Sequence, residues 1–133
     1  MTTVDISWGA LLIAAVVNMV LGYIWYSPMV FGKAWMAEMG NKEEMKPDPA
    51  IMLGMLIIAI AIGYILTHFV VYAGANSFGM GVETGIWAAL GFSVLTMASG
   101  MLATGRSVKL WAINSGYWLV SLGVMGGIIA SMR

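Results

Sequence analysis

The sequence contains no cysteine and very little charge. Of its 133 residues, three are proline, one is histidine and 9% are charged. The absence of thiols excludes disulfides, thiolate metal sites and thiol redox chemistry. A soluble domain carries about 25% charged residues, so this low share of charge excludes an ordinary soluble fold. The formal net charge is zero and the basic residues form no run, which argues against nucleic acid as a partner.

Long uncharged segments take up most of the chain instead. Hydrophobic residues make up 61% of it, and four stretches carry no charge: residues 6–32, 49–82, 84–105 and 110–132. Each is long enough for a helix of about 20 apolar residues, which crosses about 30 Å of hydrocarbon. The sequence therefore predicts an all-α integral membrane protein, a four-helix bundle that forms a single transmembrane domain over residues 1–133.

Turn and capping signals divide the chain into helices. The predicted spans cover about 7–26, 50–73, 81–103 and 110–131, and a short interfacial helix covers about 28–39. Pro28 ends the first span because a proline restricts the residue before it to extended geometry. Ser27 is then a candidate cap for the short helix, with Pro28 in its first position. Asp5 is the predicted N-cap of the first span.

The distribution of basic residues predicts the orientation in the membrane. One side holds Lys33, Lys42, Lys46, Arg106 and Lys109, and the other side holds Arg133. Because lysine and arginine concentrate in cytoplasmic loops, the loops that follow the first and third spans should face the cytoplasm. We therefore expect a multi-pass protein of the cell inner (plasma) membrane with both termini outside.

Small residues recur at every fourth position in three of the predicted spans. Small side chains let helix backbones approach closely, and this contact drives helix association in lipid. The stripes fit either packing within one bundle or self-association of several copies, and three stripes on three helices favour an oligomer. The predicted helix-packing residues are Ala14, Gly22, Gly81, Gly85, Gly123 and Gly127.

Ionisable residues are missing from the middle of every predicted span. Proton-coupled transport needs such a group, so its absence argues against a proton-coupled pump. His68 has no cysteine or intramembrane acid beside it and cannot build a metal site alone. We expect it to be a hydrogen-bonded histidine at the interface, with Glu83 as a candidate partner. The glycine-rich segments lack the Lys-Ser/Thr of a phosphate loop. We therefore expect no catalytic, cofactor-binding or metal-binding residue, and a protein that is not an enzyme.

Three polar residues are predicted to lie inside the membrane: Asn18, Asn114 and Tyr117. Their distances from the ends of their helices place them at overlapping depths, and a buried amide must find a partner in hydrocarbon. We predict that Asn18 bonds to the fourth span through Tyr117 or Asn114. A channel is the alternative, with polar side chains along one water-filled axis. The candidates for that lining are Asn18, Ser93, Thr96, Ser99, Asn114 and Ser121.

One segment resembles the signature of a known family. It reads Asn18-x3-Gly22-x2-Trp25-Tyr26-x-Pro28-x2-Phe31-Gly32-Lys33-x-Trp35, and it resembles the signature of a bacterial family of small membrane proteins, domain of unknown function 1761. The four-span layout with a short amphipathic segment is similar to that family over nearly the whole chain, and Asn114-x2-Tyr117 is similar to its second polar motif. The resemblance supports the fold and implies no activity.

The same segment is the predicted interfacial anchor: Trp25, Tyr26, Pro28, Phe31, Gly32 and Trp35. Tryptophan and tyrosine favour the headgroup level, so Trp25 and Tyr26 should hold the end of the first span there. Gly32 should let the interfacial helix lie against the bundle.

These observations favour a small polytopic membrane protein that acts through helix–helix association. Its expected partners are the lipid bilayer and either further copies of itself or another membrane protein to which it is an accessory subunit. An oligomeric channel or facilitator for a small solute or ion is the alternative.

Overall fold

The computed structural model describes residues 3–40 and 48–133, and the described residues form helices and turns without strands. The helices are α1 (Trp8–Trp25), α2 (Gly32–Met39), α3 (Pro49–Tyr72), α4 (Phe78–Ala89), a π-helical turn (Leu90–Val94), α5 (Leu95–Thr104) and α6 (Val108–Ser131). The predicted all-α fold is confirmed. Four helical segments are long and apolar enough to cross a membrane: α1, α3, the third span from Phe78 to Thr104, and α6.

Local capping sets the helix boundaries, and two of the predicted caps are wrong. Ser7 rather than Asp5 occupies the N-cap of α1. The chain from Pro28 to Phe31 forms turns, in which the Gly32 amide donates to the Ser27 carbonyl at 2.8 Å, so α2 begins at Gly32 and not at Pro28. The predicted positions of Lys42 and Lys46 lie outside the described residues.

The third span begins at Phe78, three residues before the predicted start. The Ser77 side chain caps it by accepting a hydrogen bond from the Met80 amide at 3.3 Å. The starts of α3 and α6, at Pro49 and Val108, lie closer to the predicted ones. Asp48 accepts from the Ala50 amide at the start of α3, and Ser107 accepts from the Lys109 amide at the start of α6.

Helix α6 occupies the centre of the bundle. It contacts α1, α3 and α4, and its contact with α4 is the most extensive in the molecule. In the most apolar window of each span, 56% of residues are buried in α6 and 11% in the third span. The bundle has an α2 end, where α1 ends and α6 begins, and a terminal end, where α1 begins and α6 ends. The core lies toward the terminal end, around Leu66, Val70, Met125 and Ile129.

A π-helical turn divides the third span into two unlike halves. In α4, Gly81, Gly85 and Ala89 are buried, whereas α5 has no buried residue between Leu95 and Thr104. A π turn closes its hydrogen bond one residue later than an α turn. Since each residue of an α-helix turns by about 100°, everything after Val94 is rotated by roughly that angle. The Trp111 indole Nε1 donates to the Val94 carbonyl at 2.9 Å and ties the turn to α6.

Candidate functional site

The polar contacts between α1 and α6 form the densest set of interhelical hydrogen bonds. The Asn18 Nδ2 atom donates to the Ser121 Oγ atom, and both residues are buried. The Tyr117 hydroxyl donates to the backbone carbonyl of Asn18 at 3.1 Å. The prediction that Asn18 bonds to the fourth span is confirmed. Of the two predicted partners, Tyr117 bonds to Asn18, at its carbonyl, and Asn114 does not. The Asn18 side chain itself bonds to Ser121, which the sequence did not indicate.

Gly22 explains why Tyr117 reaches the backbone of α1. A Cβ atom at Gly22 would lie 3.1 Å from the Tyr117 hydroxyl and 3.5 Å from its ring carbon Cζ. The missing side chain leaves room for the hydroxyl end of the ring beside α1, where the hydroxyl donates to the carbonyl of Asn18, one turn earlier. That carbonyl has a second lone pair beyond its helical hydrogen bond, so it can accept from Tyr117 as well.

Two further bonds tie the end of α1 to the start of α6. The Tyr26 hydroxyl donates to Asn114 Oδ1 at 2.7 Å, and the Trp25 indole Nε1 donates to the carbonyl of Ile113 at 3.0 Å. The Trp25 ring lies directly over Gly116, where a Cβ atom would come within 2.9 Å of it. Asn114 therefore accepts the Tyr26 hydroxyl, and Gly116, inside the Asn114-x2-Tyr117 motif, is a small residue of α6 that packs against Trp25.

The aromatic rings of the predicted anchor form one cluster at the α2 end. The ring centroids of Trp25 and Phe31 lie 4.7 Å apart. The ring centroid of Tyr26 lies 5.5 Å from that of Trp35 and 5.5 Å from that of Tyr117. Tilted and edge-on pairs at these distances are favourable beyond the area that they bury. The cluster holds α2 beside α1 and α6. We call the bonds of Asn18, Tyr117, Tyr26 and Trp25, together with these rings, the α1–α6 clamp.

Gly32 and Pro28 take part in the turn that leads into α2. A Cβ atom at Gly32 would overlap the carbonyl of Tyr26 and lie 2.6 Å from the carbonyl carbon of Ser27. Gly32 is therefore required by the tight turn after α1, and this turn leads into α2, which contacts α6. Pro28 is exposed in the same turn.

The predicted packing residues all make contacts within one copy of the chain. Gly81 and Gly85 face the backbone of α6, where a Cβ atom would overlap the carbonyls of Gly126 and Leu122 respectively. Gly127 accommodates the ring of Phe78, and Gly123 lies next to Ile86. Ala14 is fully buried in the core. These contacts explain the stripes without a second copy.

The clamp and its surroundings hold few groups that could take part in chemistry. The hydroxyl of Ser115 is buried and has no hydrogen-bond partner among the described residues. The His68 ring nitrogen Nδ1 lies 2.9 Å from the carbonyl of Tyr64, so its polar contact is within its own helix rather than with Glu83. In residues 3–40 and 48–133, no three His, Cys, Asp or Glu residues come together in a way that could hold a metal ion.

Comparison with known proteins identifies the family. The family described as "Protein of unknown function (DUF1761)" matches residues 9–130, so the chain belongs to this family and the resemblance seen in the sequence is confirmed. No curated protein and no solved structure matches the chain. The protein is thus a small membrane protein of unassigned activity, built around the α1–α6 clamp.

Proposed function

We propose that this member of the DUF1761 family acts in the inner (plasma) membrane through helix–helix association, as a homo-oligomer that assembles through α5. The observation that carries the proposal is an exposed face of small and hydroxyl-bearing residues. Thr96, Ser99, Gly100 and Ala103 are all exposed in one copy, and their spacing of three and four residues places them on one side of α5. Transmembrane interfaces are enriched in these residue types. We call these four residues the α5 face.

The π turn explains why this face is free. Thr96, Gly100 and Ala103 follow Ala89 by seven, eleven and fourteen residues, which is the spacing of one face of an α-helix. In an uninterrupted α-helix they would therefore continue the stripe of Gly81 and Gly85. The extra residue in the π turn rotates them by about 100° away from that direction. As a result, Ala89 is buried in the bundle, whereas an added Cβ at Gly100 would meet no described atom within 4 Å.

The hydroxyls of the α5 face differ from those of the other threonines in the spans in their hydrogen bonding. Thr67, Thr84 and Thr104 each donate to the carbonyl one turn earlier at 2.8 Å. Within the described residues, the structure gives Thr96 and Ser99 no such bond. A hydroxyl without a partner in hydrocarbon is stabilised when it donates to an acceptor on a second helix. Interhelical hydrogen bonds of this kind contribute about 0.6–2 kcal/mol to helix association.

A second copy of the chain is the occupant that fits this face best. Each hydroxyl both donates and accepts, so two identical faces related by a two-fold axis can satisfy one another. The face carries no charge that would repel its own copy. Gly81 and Gly85 of α4 and the glycines of α6, in contrast, lie against atoms of the same bundle and are not available to a second copy.

This proposal assigns the protein no catalytic step. Asn18, Asn114 and Ser121 already form hydrogen bonds in the α1–α6 clamp. The half-buried Ser93 and the exposed Thr96 and Ser99 are the remaining polar groups of the predicted channel lining. A channel for a small solute or ion would then form between copies and not through one bundle. An accessory role, in which a different membrane protein occupies the α5 face, is the alternative outcome of the test.

The natural absence of cysteine makes this test direct. We would introduce Ser99→Cys, reconstitute the protein into liposomes and add a mild oxidant. A symmetric α5 interface should give a disulfide-linked dimer. Leu102→Cys is the matched control, because Leu102 is 79% exposed on the same helix but lies about a third of a turn from the centre of the face. Equal crosslinking of both variants, or none with Ser99→Cys, would contradict assembly of copies through α5.

A substitution test measures the strength of the same contact. Gly100→Leu should weaken dimerisation by about tenfold, since it removes close helix approach. Gly54→Leu on α3 is the control, because a Cβ there also meets no described atom within 4 Å. The dimer fraction would be measured by single-molecule photobleaching in bilayers. A wild-type chain that is monomeric at all protein-to-lipid ratios would refute the homo-oligomer.

A further inference from the structure

An open cleft of about 580 Å³ lies between α3 and α4, away from both the α1–α6 clamp and the α5 face. Four aromatic side chains line it, namely Phe69, Tyr72, Trp87 and Phe92, together with Met80 and Thr84. Small side chains between them, at Ala73, Ala75 and Ala88, leave the volume open. Glu83 supplies the one charged group among the described residues that line it.

Glu83 lies deeper in its span than the sequence predicted. Because α4 begins at Phe78 and not at Gly81, Glu83 belongs to the second turn, about 7 Å along the helix axis from the first residue. Within the described residues, Glu83 has no ion-pair partner, and neither lysine nor arginine lines the cleft. Glu83 is exposed in one copy, and a carboxylate near the edge of the hydrocarbon favours a cation that compensates its charge.

The aromatic walls favour a positively charged ligand. An ammonium group near the face of a tryptophan, tyrosine or phenylalanine ring is attracted by the electrons of the ring, and the attraction grows where water is excluded. Trp87 is one turn beyond Glu83 on the same helix, so the indole and the carboxylate lie on one side of α4. A cation in the cleft can therefore contact both.

The far end of the cleft favours an apolar chain on that cation. The rings of Phe69 and Phe92 lie 5.8 Å apart and line this end. Phe92 is nine residues beyond Glu83, which corresponds to about 13 Å along the helix. That length accommodates an ammonium head at Glu83 and a chain of several carbons directed toward Phe92.

We infer that this cleft binds a monocationic amphiphile, an ammonium group that carries an apolar chain. A zwitterionic phospholipid fits less well, because its phosphate would lie beside the Glu83 carboxylate with neither lysine nor arginine of the described lining to compensate it. The ligand class follows from the composition of the lining: one negative group, four aromatic side chains and an apolar end.

Binding of octyltrimethylammonium to the full chain in phosphatidylcholine nanodiscs tests the inference. Equilibrium dialysis with the labelled probe, after subtraction of empty nanodiscs, should show saturable binding. Glu83→Gln should weaken it by about tenfold or more, because it removes a charge-assisted contact. Glu38→Gln on α2 is the matched control, since this carboxylate lies at the opposite end of the bundle and should leave binding unchanged.

Two further measurements keep the test decisive if Glu83→Gln does not fold. Trp87→Leu, at a side chain that is 68% exposed, should weaken binding several-fold by loss of the cation–π contact, whereas Trp8→Leu outside the cleft should not. Octylphosphocholine should compete with the wild-type protein at least about tenfold less well than the cationic probe. Absence of saturable binding, equal affinity in Glu83→Gln and Glu38→Gln, or equal competition by the zwitterion would overturn the inference.

Discussion

Gly85→Ala, in α4, should destabilise the bundle more than a Gly→Ala substitution at any glycine of α3 or α5. The added Cβ atom would overlap the Leu122 carbonyl oxygen, and it would lie 2.5 Å from the Leu122 carbonyl carbon and 2.9 Å from the Gly123 amide nitrogen. All three atoms belong to the backbone of α6, so no side chain can rotate away. Relieving the overlap requires α4 and α6 to separate by at least about 1 Å.

The size of the effect follows from the extent of that interface. A gap of about 1 Å forfeits roughly a quarter to a half of the dispersion energy of the atoms on either side. The α4–α6 contact is the most extensive in the molecule, and there is no hydrophobic effect inside a bilayer to replace the lost contact. We expect a loss of about 2–3 kcal/mol in the free energy of unfolding, the upper part of the range for overpacked sites.

A matched glycine separates this steric effect from helix propensity. Gly54→Ala adds the same methyl group inside α3, where it would meet no described atom within 4 Å. Its expected effect is a gain of at most about 1 kcal/mol. Reversible unfolding in mixed micelles of dodecyl maltoside and dodecyl sulfate, followed by circular dichroism, gives both values. If the two variants unfold at the same detergent ratio, the close approach of α4 and α6 does not support the stability of the bundle.

Two other predictions concern the clamp and the orientation. In a double-mutant cycle, Asn18→Leu and Ser121→Ala should show a coupling of about 0.6–2 kcal/mol in the same unfolding assay, and additive effects would mean that the two side chains do not interact. In intact cells, Lys109→Cys should resist an impermeant maleimide while Arg133→Cys reacts with it, because the basic loops should face the cytoplasm; the reverse pattern would mean that the termini lie inside.

The positions of the spans could be predicted because lipid leaves the chain little choice. Uncharged stretches of sufficient length must become helices, and Pro28 marks the end of the first one visibly. The start of the third span was misplaced because Phe78 and Gly79 look like part of a turn. The cap that decides the boundary is the side chain of Ser77, whose bond to the Met80 amide no pattern of hydropathy reveals.

The partner of Asn18 shows a second limit of the sequence. Counting residues along a helix gives depth in the membrane, and depth was sufficient to place Asn18 opposite α6. It does not give the rotation of each helix about its axis, which brought Ser121 to the side chain and Tyr117 to the carbonyl. The π turn escaped prediction for the same reason. It changes the direction of every side chain after Val94 while it leaves the hydropathy of the span unchanged.

The central place of α6 has a consequence for biosynthesis. It is the last of the four spans to leave the ribosome, yet α1, α3 and α4 pack around it. Until it inserts, Gly81 and Gly85 have lipid beside them, and Asn18 lacks the hydroxyl to which it donates in the finished protein. The contacts of α1 and α4 with α6 can therefore form only after this last span inserts, whereas the contact between α1 and α3 can form before it. A ribosome paused before Val108 would hold a chain that is threaded through the bilayer but not yet folded.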